Sequence, residues 1–361
     1  MSQYERPNIK AMQGYTWGEQ PDDDRTIKLN TNENPYPPSP QVTHALAQLD
    51  MARLRVYPQP TADPLRDVIS NLHNLTRDQV IVTNGGDEGL RLALTTFVEP
   101  GAGFGMANPS YSLYSVLAQI QDANIVQVDI ESDWSYPEDL AQQMNSQKVQ
   151  LTCLVNPHAP SGTLHSLSQL SAIAAQLDGV LLIDEAYADF VEPTQNYDAT
   201  QLLADHDNVL ILRTFSKGYS LAGLRLGYLL GNTNLIDPLI TKTRDSYNID
   251  HISQALGVSA LEDQAYAQDT WQRVREDRDM LAANLGQLGL HCPTSHTNFL
   301  LATVSEDAPL SAQQIYSQLK DVGVLIRYFD TPELNNKLRI SIGTPEQNQI
   351  LLARLSEFLN P

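Results

Sequence analysis

From Gln79 onward the chain alternates short β-rich runs with stretches of helical periodicity, and this alternation constrains the fold more than any other feature of the sequence. Strands separated by helices can only be parallel neighbours joined by crossovers, so the pattern predicts a largely parallel sheet covered on both faces, an α/β architecture. The first unit is the clearest. Val80-Ile81-Val82 meets the turn Asn84-Gly85-Gly86, after which Leu90, Ala93, Leu94 and Phe97 recur at helical spacing until Pro100-Gly101. Further strands are expected at 124–128, 151–155, 180–183, 209–212 and 224–230. Beyond about Leu235 the pattern changes to longer helices, including a charged amphipathic one over 264–288. The C-terminal part then reads as a smaller α+β unit, with strands at 299–302, 324–327 and 338–342 and helices at 311–321 and after Pro345. The first 40 residues are rich in Pro, Asn and Asp, and Asn32 to Pro38 reads as irregular chain. The expected organisation is an N-terminal arm over 1–40, a large domain over 41–240, and an interdomain helix with a small C-terminal domain over 241–361.

The 361 residues are 42% hydrophobic, enough for a substantial core, and carry a formal charge of −20. So acidic a molecule repels polyanions, which argues against nucleic acid and against an anionic membrane surface. Any anionic ligand must be captured by local donors working against that field, which directs attention to helix N-termini and single arginines. Two cysteines, Cys153 and Cys292, form neither a disulfide framework nor a metal site and fit a reducing compartment. No apolar run reaches the roughly 18 residues of a membrane span. A cytoplasmic protein without a bound metal is expected.

Four strand ends carry candidate chemistry. After the run 209–212 come Thr214, Ser216 and Lys217, with Arg225 eight residues beyond the lysine. Lysines taken singly are solvated surface residues, but this one lies past the end of a buried strand, where open α/β sheets collect ligands. Thr214, Ser216 and Arg225 can together hold a phosphate dianion, and a lysine amine with a depressed pKa is a nucleophile toward an aldehyde. The second strand end is Asp184-Glu185-Ala186-Tyr187. A carboxylate there can keep a pyridine nitrogen protonated, a phenol can donate to a ring oxygen, and a small residue lets a ring lie flat; alternatively, the acids merely cap the next element. Third, Gly86 and Asp87 open a helix and present free N–H groups to an anion, though Gly-Gly turns are common and Asp87 is also a natural N-cap. Fourth, Asn156-Pro157-His158-Ala159-Pro160-Ser161-Gly162 places an amide and a rigid turn at the same sheet edge, with an ordinary loop as the plain alternative. Tyr111, after Asn108-Pro109-Ser110, can stack on a ring or simply pack.

These motifs, in this order, resemble the fold-type I aminotransferases, and within them the histidinol-phosphate aminotransferases. The matching segments are Leu29-Asn30-Thr31-Asn32-Glu33-Asn34-Pro35-Tyr36, Gly86-Asp87-Glu88, Asp184-Glu185-Ala186-Tyr187, Thr214-Phe215-Ser216-Lys217, and Leu221-Ala222-Gly223-Leu224-Arg225-Leu226-Gly227-Tyr228. The resemblance runs from about Leu29 to Phe358. It implies a pyridoxal 5′-phosphate enzyme in which Lys217 is the covalent anchor and proton shuttle, and Asp184 pairs with the ring nitrogen. Tyr187 and Asn156 contact the ring oxygen and Tyr111 stacks on the ring. Thr214, Ser216, Arg225 and the amides of Gly86 and Asp87 hold the phosphate. It further implies a homodimer with shared sites, Tyr57 reaching the neighbouring subunit's phosphate. Substrate binding falls to Arg339, Arg327, Tyr15 and Asn32, and the reaction is transfer of an amino group between L-histidinol phosphate and 2-oxoglutarate in histidine biosynthesis. An aromatic amino-acid aminotransferase or a phosphothreonine decarboxylase would keep every cofactor residue. A cofactor-sensing regulatory module ranks below these, because no basic helix-turn-helix segment precedes Leu29. The chain departs from the family's usual wording at Val56, before Tyr57; at His158, Ala159 and Ser161; and at Gly218-Tyr219-Ser220.

Overall fold

The computed structural model describes residues 3–23 and 25–359. Its strands are β1 (Ile27–Lys28), β2 (Val80–Thr83), β3 (Gly103–Asn108), β4 (Asn124–Asp129), β5 (Val149–Val155), β6 (Val180–Asp184), β7 (Val209–Thr214), β8 (Gly227–Gly231), β9 (Leu290–His291), β10 (Phe299–Val304), β11 (Val324–Leu325), β12 (Arg327–Tyr328) and β13 (Lys337–Ser341). Seven of them form the main sheet in the order β2-β8-β7-β6-β5-β3-β4. Every pairing in it is parallel except the two made by β8. The central strands β5, β6 and β7 are apolar on both faces because helices cover both, and Leu154, Leu181, Leu182, Ile183, Leu210 and Ile211 have no exposed surface. Each such side chain contributes about 1.5–3 kcal/mol on burial.

One core lies on each face of this sheet. A third belongs to the C-terminal sheet, ordered β12-β13-β10-β9, and to the helices Ala312–Asp321 and Pro345–Leu359 packed on it. The helix Gln264–Gln287 contributes Val274, Leu281 and Leu285 to that third core. Among the described residues no helix is long and apolar enough to cross a membrane, and no group of His, Cys, Asp or Glu is placed to hold a metal.

Three local expectations differ from the structure. Strand β3 has no counterpart among the expected strands because its Gly103 and Gly105 weaken any β signature; both are there for space, since a Cβ on Gly105 would lie 2.5 Å from Met144 Sδ. The strand expected from 224 begins only at Gly227, because 222–224 form a 3₁₀ turn and Arg225 takes a left-handed conformation with φ 54°. Gly227 permits a close approach to the helix start, where a Cβ would sit 2.8 Å from the Gly85 carbonyl carbon. The run 324–327 is two strands. Ile326 separates β11, which pairs in parallel with β1 of the arm, from β12, which pairs with β13. The arm is therefore tied into the C-terminal part of the fold, and it also carries a helix at Pro7–Ala11.

Candidate active site

The parallel strands deliver their C-terminal ends to one rim of the sheet, and a cavity of about 590 Å³ opens there. Its walls include Asp184 from the end of β6, Thr214 from the end of β7, Lys217 just beyond, Arg339 from β13, and the arm residues Tyr15 and Asn32.

Asp184 is buried. Its Oδ2 accepts a hydrogen bond from the Tyr114 hydroxyl at 2.6 Å and its Oδ1 one from the Ala186 N–H at 3.1 Å. Burial nonetheless pushes the carboxyl up to about 6, so a cation beside it would be strongly favoured. Tyr187 follows on the same turn, with the ring of Phe299 edge-on at 5.0 Å; its hydroxyl oxygen accepts from Asn32 Nδ2 at 3.1 Å. Asn32 is held in turn by Ser341, whose hydroxyl accepts from the Asn32 N–H and donates to Oδ1. With φ 57°, Asn32 occupies the left-handed region that asparagine tolerates better than most residues. Tyr111 packs edge-on against Tyr114 at 5.5 Å and Tyr15 at 5.9 Å. Lys217 donates from Nζ to the Thr31 carbonyl at 2.8 Å, and burial holds its amine down to about 8.

A second set of donors gathers where β2 feeds the helix Gly85–Phe97. Asn84 caps that helix without a side-chain hydrogen bond, which leaves the first-turn N–H groups of Gly86 and Asp87 open to an anion. Thr214 Oγ1 donates to Ser216 Oγ at 3.0 Å, and Arg225 Nη1 donates to the same Oγ at 3.4 Å. Arg225 Nη2 pairs with Asp87 at 3.0 Å. Gly85 has φ 73° and no room for a side chain, because a Cβ would stand 2.6 Å from Arg225 Nη2. Two hydroxyls, a guanidinium and open helix N–H groups at one end, a buried carboxylate at a strand end, and a lysine amine form a donor set that fits pyridoxal 5′-phosphate.

The third feature is a pair of arginines. Arg327 and Arg339 are direct cross-strand partners in β12 and β13, an arrangement that like charges oppose. Arg213, Arg225 and Arg278 each hold a carboxylate, whereas among the described residues neither Arg327 nor Arg339 does. Arg339 donates to the Asn30 carbonyl at 3.0 Å, and its Nε is buried with no partner. Phe329 lies beside both guanidinium groups, at 5.3 Å from Arg327 and 5.4 Å from Arg339. Two unneutralised cations facing one cavity make a site for a strongly charged anion.

Two expected residues are not brought to the cavity. Asn156 is fully buried and its carboxamide is spent elsewhere: Nδ2 donates to the Tyr197 hydroxyl at 2.8 Å and to the His165 carbonyl at 3.1 Å, while Oδ1 accepts from the His165 N–H at 2.8 Å. Its neighbours Val155, Ala159 and Pro160 line the cavity instead. Tyr57 is 78% exposed and stacks face to face on Tyr247 at 4.4 Å, away from this chain's cavity.

The structure also supplies residues that reading the sequence missed. Tyr114 lies three residues after Tyr111, a spacing that could have flagged it. Thr31 acts on Lys217 through its backbone, which leaves no mark in a sequence. His158, one of the departures noted above, bridges two loops: its Nε2 lies 3.0 Å from the Pro109 carbonyl and its Nδ1 2.8 Å from Ser161 Oγ. The carbonyl can only accept, so Nε2 carries the proton and Nδ1 accepts from Ser161. Burial pushes this imidazole down to about 3, which keeps it neutral.

Residues 24–355 match the family described as aminotransferase class I and II. The histidinol-phosphate aminotransferase 1 of Trichormus variabilis is 41% identical over 360 residues, spanning 99% of this chain and 100% of the relative. The protein of the same description from Nostoc sp. is 42% identical over 361 residues, spanning 99% of each. Among solved structures, the histidinol-phosphate aminotransferase of Sinorhizobium meliloti in complex with pyridoxal-5′-phosphate matches with a TM-score of 0.91 at 25% identity, covering 99% of this chain and 98% of the other.

Proposed function

The chain belongs to the class I and II aminotransferases, and from that premise we propose that it transfers an amino group reversibly between L-histidinol phosphate and 2-oxoglutarate, as a step of histidine biosynthesis. Its cofactor is pyridoxal 5′-phosphate. When bound, that group supplies an aldehyde that combines with amines and a protonated ring that draws off the electron pair left by a departing α-proton.

The chain's own residues would divide the work as follows. Thr214, Ser216, Arg225 and the N–H groups of Gly86 and Asp87 hold the phosphate. Asp184 keeps the ring nitrogen protonated, and the Tyr114 hydroxyl fixes the carboxylate that does so. Tyr187 donates to the ring oxygen and Tyr111 covers a ring face. Lys217 would hold the aldehyde end of the cofactor and would carry the proton taken from the substrate's α-carbon. Asn156 would contact the ring oxygen only by exchanging one of the bonds that its carboxamide makes to Tyr197 and His165.

The observation that carries the choice of substrate is the unneutralised Arg327–Arg339 pair. One guanidinium suffices for the α-carboxylate of an amino acid, whereas a phosphate monoester carries close to two negative charges at neutral pH. Tyr15 and Asn32 complete this end of the cavity. A charge-assisted hydrogen bond contributes about 1.5–3 kcal/mol, or roughly ten- to a hundredfold in binding. Arg327→Gln is therefore expected to weaken the histidinol-phosphate half-reaction by about that factor, far more than the glutamate half-reaction. Arg339→Gln should impair both. Following the cofactor's absorbance in single turnovers with each donor separates the two, and an unaffected histidinol-phosphate half-reaction in Arg327→Gln would remove the basis for the assignment.

The same reading includes a homodimer in which Tyr57 reaches the second subunit's phosphate, a cytoplasmic location, and the division into an arm over 1–40, a large domain over 41–240 and a C-terminal part over 241–361. The exposed, stacked position of Tyr57 is compatible with a reach beyond its own chain.

A further inference from the structure

The arm reaches the Lys217 amine through a single residue. Thr31 accepts a hydrogen bond from Lys217 Nζ at its backbone carbonyl. With its side chain it also joins an ion pair: the Thr31 hydroxyl accepts from Lys28 Nζ at 2.7 Å and donates to the Glu33 carboxylate, and Lys28 and Glu33 contact each other directly. Lys28 and Glu33 are side by side because β1 ends at Lys28 and the chain turns back over the next five residues.

The charges that act on the Lys217 amine come from several elements. Arg339 on β13, Arg225 before β8 and Lys28 on the arm all favour the neutral amine, whereas Glu33 favours the ammonium ion. Asp184 at the end of β6, Tyr187 just beyond it, and Asp87 on the helix Gly85–Phe97 share the same cavity. Of the groups with the largest influence, Glu33 is the acid, and its carboxylate is held in place by Lys28 and Thr31, which precede it in sequence.

We propose that Lys28 and Glu33, coupled through Thr31, are positioning residues that seat the Lys217 amine and set its protonation. The proposal rests on the reading of Lys217 as the residue that anchors the cofactor and carries the proton. An amine surrounded by cations and low-dielectric protein becomes a poor proton carrier if it never charges, and a poor acceptor if it never loses its proton. Within the pair Glu33 favours the ammonium ion and Lys28 opposes it, and, being tethered through the residue that binds the amine, the two fix position and charge together.

The two members of the pair act in opposite directions on the amine, which gives the proposal a signature that simple anchoring of the arm lacks. The full-length chain, freed of cofactor, would be pulsed with acetic anhydride across a pH series and labelling of the Lys217 peptide read by mass spectrometry. Wild type is expected to show a midpoint near the value of about 8 that burial imposes. Glu33→Gln removes the favouring charge and should lower the midpoint to about 7. Lys28→Gln leaves Glu33 unneutralised and should raise it. Lys28→Arg should leave it unchanged, and the double variant Lys28→Gln, Glu33→Gln should return close to wild type. Shifts in the same direction for both single glutamine variants, no shift in either, or a wild-type midpoint at the ordinary lysine value would overturn the proposal. Labelling does not depend on what Lys217 binds, so the two readings fail separately: opposite shifts with cofactor found on another lysine would sink the assigned function alone, and absent shifts with cofactor on Lys217 would sink this inference alone.

Discussion

Replacing Lys217 with alanine is expected to lower turnover by about 10⁴-fold or more while leaving the chain folded and still able to bind pyridoxal phosphate. The loss follows from two functions residing in one amine. General acid–base groups typically contribute 10²–10⁴-fold, and the covalent anchor is lost in the same substitution. Binding should persist because the contacts of Thr214, Ser216, Arg225 and the helix start at Gly85–Gly86 do not run through the Lys217 side chain. The fold should persist as well, since among the described residues the amine makes one hydrogen bond, to the Thr31 carbonyl at 2.8 Å. Borohydride reduction followed by peptide mapping is the check. Wild type should carry the label on Lys217 and the alanine variant should carry none; label on another lysine would displace Lys217 from its role.

Asp184→Asn is expected to have the second largest effect. The substitution keeps the shape and the hydrogen-bonding reach of the side chain but removes the only charge it can offer a ring nitrogen. In the structure that carboxyl already sits at about 6 through burial, so its charge is maintained at a cost that a cationic partner would offset. Buried, preorganised electrostatic groups of this kind are worth about 10²–10³-fold in rate, and a drop of that size in single-turnover transamination is expected with cofactor retained. Near-normal single turnovers would show that Asp184 only caps the turn after β6, through its contact with the Ala186 N–H. A second consequence concerns Tyr114. Its hydroxyl donates to Asp184 at 2.6 Å, so the asparagine variant keeps an acceptor there only if the amide presents its oxygen to that hydroxyl.

The parts of this molecule that were legible in the sequence are those written in side chains of fixed period or fixed chemistry. The runs of β5, β6 and β7 are apolar without alternation because both faces are covered, and they stand out as strands for that reason. Lys217, Asp184 and Arg225 follow strand ends or tight turns, where their chemistry is exposed by position. What stayed hidden was settled by space or by backbone. Strand β3 is made thin by Gly103 and Gly105 so that Met144 and Val149 can approach, and a glycine-bearing strand does not advertise itself. The split of 324–327 depends on the arm supplying β1 as a partner for β11, a contact between residues nearly 300 positions apart in the chain. Asn156 carries the right residue type at the right strand end, yet Tyr197 and His165 claim its carboxamide, and a competition for hydrogen bonds among distant residues cannot be read from a motif. Thr31 reaches Lys217 through a carbonyl that every residue possesses.

The arginine pair shows the reverse case, where the sequence names the residues and only the fold gives them meaning. Arg327 and Arg339 are twelve positions apart, and nothing in that spacing says that they face each other. The register of β12 on β13 does, and the absence of a carboxylate for either, among the described residues, turns an unfavourable pairing into a binding site. The measurement that bears most directly on this account is the single-turnover conversion of the cofactor in the wild-type enzyme by histidinol phosphate and by phenylalanine, followed by addition of 2-oxoglutarate. The account predicts that histidinol phosphate reacts at far lower concentration than phenylalanine and that 2-oxoglutarate then returns the enzyme to its starting spectrum with glutamate as product; equal handling of the two donors, or release of carbon dioxide in place of amino transfer, would contradict it.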